Sequence, residues 1–174
     1  PEQMEIVNNY TLNILLTGPG GSMPAALTMM QAGAAIVQAG GAGVFVDNSG
    51  LAHGGGLWIE MTEDRGPDAL SFAFVAIVRG DQEVWTMGMH VLGLHDVVMR
   101  RLDVEPDGDA MIELIRYMCA SEQKIEPGDL LGDEQAPRFQ ARAAEGDKMT
   151  ADSPMHNPFG RLRIVSTKEI AENN

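Results

Sequence analysis

The fold prediction starts from residues 9–47, which read NYTLNILLTGPGGSMPAALTMMQAGAAIVQAGGAGVFVD. At the start of this stretch, residues 9–17 place Leu12, Ile14 and Leu16 at every second position. Because successive side chains of a strand point to opposite faces, this alternation predicts a β-strand with an apolar face.

A glycine-rich break and a helix follow the predicted strand. Residues 18–21 interrupt the apolar pattern, and Ser22 is a favoured helix N-cap. Apolar residues then recur at spacings of three and four, which predicts a helix over residues 23–39, and residues 42–47 predict a short central strand. Strand, helix and strand form a βαβ unit, whose two strands we expect to be parallel because such crossovers are right-handed.

The middle of the chain contains its most apolar stretch, ALSFAFVAIVR at residues 69–79. Its alternation, with apolar residues on both sides, predicts a strand that is buried on both faces. The turn residues at 80–82 and the pattern of residues 83–91 predict an antiparallel partner, which completes a β-hairpin.

The last third of the chain has a different sequence pattern from the first two thirds. An amphipathic helix is predicted over residues 110–121, and residues 124–160 are loop-rich with a strand at residues 138–144. Residues 160–166 alternate again and predict a closing strand, after which residues 167–174 form a polar tail.

Together these elements predict one α+β domain over residues 1–174, with a mixed β-sheet, one βαβ unit, a β-hairpin and helices packed mainly on one face. The predicted core contains Ile14, Leu27, Met30, Val37, Phe45, Phe74, Val78, Leu114, Ile115 and Met118. Two helices on one face leave the other face of the strand at residues 69–79 uncovered. Either the loops of residues 124–158 or a second subunit must cover that face, and we expect a homodimer.

The composition limits the classes of partner. The 174 residues include 12 Lys plus Arg against 25 Asp plus Glu, a net charge of −13. A field of that sign repels phosphate backbones and anionic membrane surfaces, so we expect neither nucleic acid nor membrane as a partner. Cys119 is the single cysteine and cannot form an internal disulfide, and residues 1–9 lack the basic and apolar regions of a signal peptide, which together predict a cytoplasmic protein.

The first candidate site is the glycine loop that precedes the first long helix. Gly20, Gly21 and Ser22 lie between a predicted strand and a helix N-terminus, where backbone N–H groups and the helix dipole favour an anion. The lysine of a nucleotide-binding phosphate loop is missing, and the spacing does not match a dinucleotide fingerprint. The structural alternative is a tight turn that only caps the helix.

The second candidate site follows the predicted central strand. Asp47, Asn48, Ser49 and His53 are the polar residues of a loop at the expected carboxyl edge of the sheet, where ligands bind in open α/β folds. A βαβ unit would bring this loop beside Gly20, with Asp47 orienting His53 and Ser49 supplying a hydroxyl group. Asp-Asn-Ser-Gly is also ideal turn chemistry, which is the structural alternative.

The sequence predicts no metal site and no cofactor. His90, His95 and Asp96 suggest a metal set at first sight, but the five-residue spacing of the histidines fits no helical pair. A turn that ends a hairpin strand is the interpretation that the neighbouring leucines favour.

Several of these motifs occur together in a known family. They are LTGPGG at residues 16–21, GVFVDNSG at 43–50, AHG at 52–54, TMGM at 86–89, LGLHD at 92–96 and NPFGR at 157–161. In this combination the chain resembles the bacterial family called domain of unknown function 4261, over residues 12–164. Where the family has Pro-Glu, this chain has His95 and Asp96, which argues against His95 as a catalytic group of the family. The resemblance implies a fold and a bacterial source, and it implies no activity.

Two functions follow from these observations. Because every catalytic constellation is weak, the leading hypothesis is a non-enzymatic module that binds a protein or a small ligand, and the negative charge favours a basic partner. The alternative is a small hydrolase or transferase that uses His53 with Asp47 and Ser49 beside the glycine loop. The enzyme requires His53 within hydrogen-bond reach of one of these two side chains and facing a pocket.

Overall fold

The structure is a computed structural model that describes residues 7–104, 109–121, 124–133, 136–144 and 149–172. Its helices are α1 (Met23–Gln38), α2 (Gly55–Asp64), α3 (Pro67–Phe74), α4 (Arg101–Val104), α5 (Asp109–Ala120) and α6 (Thr167–Glu172), with a 3₁₀ turn at Met89–Leu92. Its strands are β1 (Gly43–Val46), β2 (Leu51–Gly54), β3 (Ala76–Arg79), β4 (Glu83–Met87), β5 (Asp96–Arg100), β6 (Leu130–Asp133), β7 (Ala136–Ala143) and β8 (Arg161–Ser166).

Six strands form one mixed sheet in the order β3-β4-β5-β8-β7-β6. The pair β5 and β8 is parallel, and the other neighbours are antiparallel. The connection between the two parallel strands contains α4, α5, β6 and β7. Strands β1 and β2 form a separate antiparallel hairpin. This architecture confirms the predicted α+β class with a mixed sheet.

The core centres on Trp58, which is almost completely buried on α2. Its indole Nε1 donates a hydrogen bond to the Met30 carbonyl of α1 at 2.9 Å, and its ring meets Phe74 of α3 edge-on at a centroid distance of 5.8 Å. Gly33 of α1 lies directly against the indole, because a Cβ at this position would sit 2.9 Å from Nε1. Helix α1 can therefore approach α2 closely only with glycine at this position.

The C-terminal residues are held against the sheet by ion pairs. Arg163 of β8 pairs with Glu83 of β4 at 2.7 Å and with Glu169 of α6 at 3.0 Å. Residues 167–172 of the predicted polar tail form α6, which has no buried residue and contacts β7 and β8. Residues 173–174 lie outside the described residues.

The strand predicted for residues 9–17 is not formed. Within the described chain, no backbone hydrogen bond involves residues 11–20, and residues 9–20 are exposed. Strand β1 pairs with β2 instead, so the predicted βαβ unit and the central position of residues 42–47 are both wrong. A strand requires a neighbour for its backbone groups, and the alternating pattern of residues 9–17 cannot supply one.

Residues 69–74 belong to a helix, and residues 76–79 form a strand. Helix α3 begins at Pro67, which is favoured in the first turn, and ends at Phe74. The strand β3 follows, and its antiparallel pairing with β4 confirms the predicted hairpin over a shorter length. Because residues 69–74 pack as a helix inside one chain, the argument that this stretch needs a second subunit to cover it no longer applies.

Other local predictions are confirmed. Helices α1 and α5, strands β7 and β8 and the Ser22 cap lie where the sequence predicts them, and the Ser22 hydroxyl accepts a bond from the Ala25 amide at 3.3 Å. The loop predicted at residues 48–56 is wrong in part, because it contains β2 and the start of α2. Among the helices of the described residues, none combines the length and apolar character that crossing a bilayer needs.

The predicted core is half confirmed. The buried members are Met30, Phe74, Leu114, Ile115 and Met118, the partly buried ones are Leu27, Val37 and Val78, and the exposed ones are Ile14 and Phe45. The two exposed residues belong to the strands that were predicted to form the βαβ unit. Their exposure follows from the missing strand pair.

Candidate functional site

The glycine loop is anchored on the 3₁₀ turn. The Gly21 amide donates to the Val91 carbonyl at 3.1 Å, and Gly21 has a φ of +82°, a conformation that favours glycine. The Ser22 hydroxyl is occupied by the Ala25 amide. Two backbone donors at this helix N-terminus, the Gly21 and Ala25 amides, are therefore already used inside the fold, which favours the capping interpretation of Gly20, Gly21 and Ser22.

Asn48 connects three parts of the chain. Its side-chain Nδ2 donates to the Pro154 carbonyl at 2.9 Å and lies 3.0 Å from Nε2 of His90. Because Nδ2 is a donor, Nε2 must accept, and the proton of the neutral His90 ring is on Nδ1. Burial lowers the pKa of His90, which keeps the ring neutral and preserves this bond.

Asp47 and Ser49 lie on either side of Asn48 but in different surroundings. Asp47 is exposed, whereas Ser49 is only 3% exposed, and its Oγ has no hydrogen-bond partner within the described residues. The Ser49 side chain packs against Gly88, where a Cβ would collide with the Phe74 carbonyl. Ser49 is thus a packed turn residue rather than a hydroxyl group presented to a substrate.

His53 lies on β2 among aromatic side chains. Its Nε2 is 2.9 Å from the Ala73 carbonyl and donates to it, and its ring is 5.6 Å from that of Trp58 and 6.0 Å from that of Phe72. The hydrogen bond joins the β1–β2 hairpin to α3. This contact supports a structural role for His53. The enzyme hypothesis instead requires a hydrogen bond from His53 to Asp47 or Ser49, and the structure does not show one between these described residues.

The structure therefore assembles part of the predicted site. Gly21 contacts Val91 and Asn48 contacts His90, so the glycine loop and the turn after β1 meet on the same 3₁₀ turn. The expected route to this arrangement, through parallel strands of a βαβ unit, is wrong. His53 is instead tied to Ala73 and does not share that arrangement.

A buried polar network around Asp96 was not predicted from the sequence. Its Oδ1 accepts from the Thr86 hydroxyl at 3.0 Å and the Met89 amide at 3.3 Å, and its Oδ2 accepts from Asn157 Nδ2 at 2.8 Å. Burial raises the pKa of Asp96 even though these bonds oppose the shift. The sequence signal lies in the LGLHD and NPFGR motifs, which are too far apart in the chain for a local pattern to connect them.

The described residues form neither a metal site nor a reactive thiol. No group of three or more His, Cys, Asp or Glu side chains among the described residues is arranged to hold a metal ion. Cys119 is buried, and burial, with a smaller contribution from Asp68, raises the pKa of its thiol to about 11. The thiol is therefore protonated and a poor nucleophile at neutral pH.

Comparisons of the chain with protein-family models, with curated proteins and with solved structures found no match. The resemblance to domain of unknown function 4261 therefore stays a prediction.

Proposed function

We propose that this chain is a protein-binding module that presents residues 10–16 as a recognition strand. The observation that carries the proposal is the exposure of the apolar side chains in this segment. The exposed fractions are 61% for Tyr10, 74% for Leu12, 59% for Ile14, 78% for Leu15 and 39% for Leu16.

The backbone of the segment supports the same function. Residues 11–16 have the alternating pattern of a strand, and their N–H and C=O groups make no backbone hydrogen bond to any residue that the structure describes. A peptide of this kind binds by adding a strand to the edge of another sheet, with backbone bonds for affinity and alternate side chains for specificity. A contiguous apolar segment on a surface is itself typical of an interaction site.

The partner should be a protein with an open sheet edge in basic surroundings. The net charge of −13 attracts a basic protein and increases the rate of encounter. The same charge opposes association of two copies. We therefore favour a different, basic protein as the partner over the homodimer that the sequence predicts. Light scattering of the purified chain at high concentration tests the homodimer directly, because a second copy doubles the mass of 18.7 kDa.

A pair of matched double variants tests the recognition strand. Leu12→Lys with Ile14→Lys puts two charges on the apolar face, whereas Thr11→Lys with Asn13→Lys adds the same charge at the alternate positions. Both variants should keep the stability of the native chain, because residues 11–14 are exposed. Proteins that the native chain captures from lysates of its source cells should be lost only with the first variant.

The captured partner is then purified and added back. Amides of residues 11–16 should exchange rapidly in the isolated chain and become protected in the complex. If the complex forms but these amides stay unprotected, or if both double variants bind like the native chain, the recognition strand is not the binding element.

A further inference from the structure

A small cavity lies beside the parallel strands of the sheet. Its volume is about 50 Å³, and it is lined by Trp85, Thr86, Met87, Asp96, Met149, Met155 and Arg161. A single water needs roughly 10–15 Å³ of such space, so this cavity holds a group of a few atoms. Sites for whole cofactors are several times larger, at about 300 Å³ or more.

One wall of the cavity carries the positive charge of Arg161. Arg161 begins β8 and stands opposite Asp96 in the parallel register. Its side chain makes neither a hydrogen bond nor an ion pair with any residue that the structure describes, although its charge lowers the pKa of Asp96 slightly against the larger effect of burial. Arg163, two positions along the same strand, has both of its outer nitrogens paired with carboxylates.

The other walls are mostly apolar. Met87, Met149, Met155 and Trp85 line the cavity together with Arg161. A guanidinium recognises a carboxylate through two parallel hydrogen bonds, and methionine and indole surfaces accept an alkyl chain. The combination matches a ligand with an anionic head and a short apolar tail.

We propose that this cavity binds a small aliphatic carboxylate whose head group pairs with the Arg161 guanidinium and whose alkyl tail packs against Met155 and Trp85. The site is separate from the recognition strand and does not depend on it. Asp96 is the neighbour that could repel such a ligand. Burial raises the pKa of its carboxyl group, which favours the neutral form and reduces the repulsion, whereas the three hydrogen bonds donated to it oppose this shift.

Nuclear magnetic resonance of the ¹⁵N-labelled chain tests the site with acetate, propionate and butyrate. The two tryptophans provide a probe and a reference, because Trp85 lines the cavity whereas Trp58 is buried in the core on Met30. Saturable shifts are expected for the Trp85 indole and for amides of β5 and β8, in the millimolar range that such small ligands permit. Propionamide and chloride, at matched ionic strength, should not produce them.

Two arginine variants make the test specific. Arg161→Gln removes the proposed partner, and Arg142→Gln makes the same charge change on the neighbouring strand, where the side chain is exposed and bonds only Gln140 in the described structure. Affinity should fall at least about ten-fold with the first variant, as expected when a charge-assisted pair is lost, and should be unchanged with the second. Arg161→Lys should retain part of the affinity.

Each outcome of these experiments either supports or overturns the proposed carboxylate site. Absence of saturable shifts with all three carboxylates overturns the proposal, as does an equal response to propionamide. Loss of binding in both glutamine variants means that general charge attraction, not the cavity, holds the ligand. If Arg161→Gln fails to fold, the comparison of native and Arg161→Lys chains still decides, because an unchanged affinity with lysine excludes the paired geometry.

Discussion

Replacing Gly33 with alanine should destabilise the domain, although the same change in an ordinary helix stabilises it. Helix propensity favours alanine by about 1 kcal/mol over glycine in a helix interior. Here a Cβ would lie 2.9 Å from Nε1 and 3.3 Å from Cε2 of Trp58, closer than packed atoms tolerate. The rigid indole is fixed by its bond to the Met30 carbonyl at 2.9 Å and by its edge-on contact with Phe74.

The magnitude follows from these contacts. Overpacking of a core costs about 1–3 kcal/mol, and loss of the indole hydrogen bond costs about 1 kcal/mol more. After subtraction of the gain in helix propensity, Gly33→Ala should lower the free energy of unfolding by about 1–3 kcal/mol, which corresponds to a Tm lower by about 2–12 °C for a chain of this size.

Urea unfolding followed by tryptophan fluorescence measures the effect, and Ala35→Gly on the exposed side of α1 is the control. That variant should lose about 1 kcal/mol through helix propensity alone. An unchanged or higher urea midpoint for Gly33→Ala would show that α1 and α2 do not pack at the distance the structure gives.

Three further predictions concern individual side chains. His53→Ala should lose about 1–3 kcal/mol of stability, because it leaves the buried Ala73 carbonyl without a donor; an unchanged urea midpoint would reopen a functional role for His53. Cys119 should react with a thiol reagent at pH 8 only in the unfolded chain, because burial raises the pKa of its thiol to about 11; rapid labelling of the folded chain would contradict this. The folded state raises the pKa of Asp96 above 3.8, so its neutral form is favoured on folding and this contribution to stability is lost as the pH rises through the folded-state pKa. Relative to Asp96→Asn, the native chain should therefore become less stable as the pH increases above 3.8, and a difference that grows in the opposite direction would show that hydrogen bonding outweighs burial.

Elements that depend on neighbours in sequence were predictable. The Ser22 cap, helix α1, helix α5 and strand β8 each follow from local patterns of apolar residues or from a favoured end residue. The hairpin of β3 and β4 was predictable for the same reason, since a short turn joins strands that are adjacent in the chain. These interactions act over a few residues, so the sequence contains the information directly.

Other features required the tertiary structure. Residues 69–74 are apolar on every side, so they fit a strand or a helix equally, and the surrounding α2 and α5 with Pro67 at the start decide for the helix. Residues 9–17 have the pattern of a strand, but a strand forms only where another chain segment satisfies its backbone.

The candidate sites also contain one proximity that the sequence predicted and others that it did not. Proximity of the glycine loop to Asn48 was expected, but it arises through the 3₁₀ turn rather than through parallel strands. The bond between Asp96 and Asn157 joins residues 61 positions apart, and the cavity at Arg161 exists only where β5 and β8 pair. The sequence alone was sufficient for the Ser22 cap, α1, α5, β8, the β3–β4 hairpin, the acidic charge and the α+β class, because these depend on residue type and short-range periodicity. Only the tertiary structure decided which side chains meet, because strand pairing and buried hydrogen bonds connect segments that have no local relation to one another.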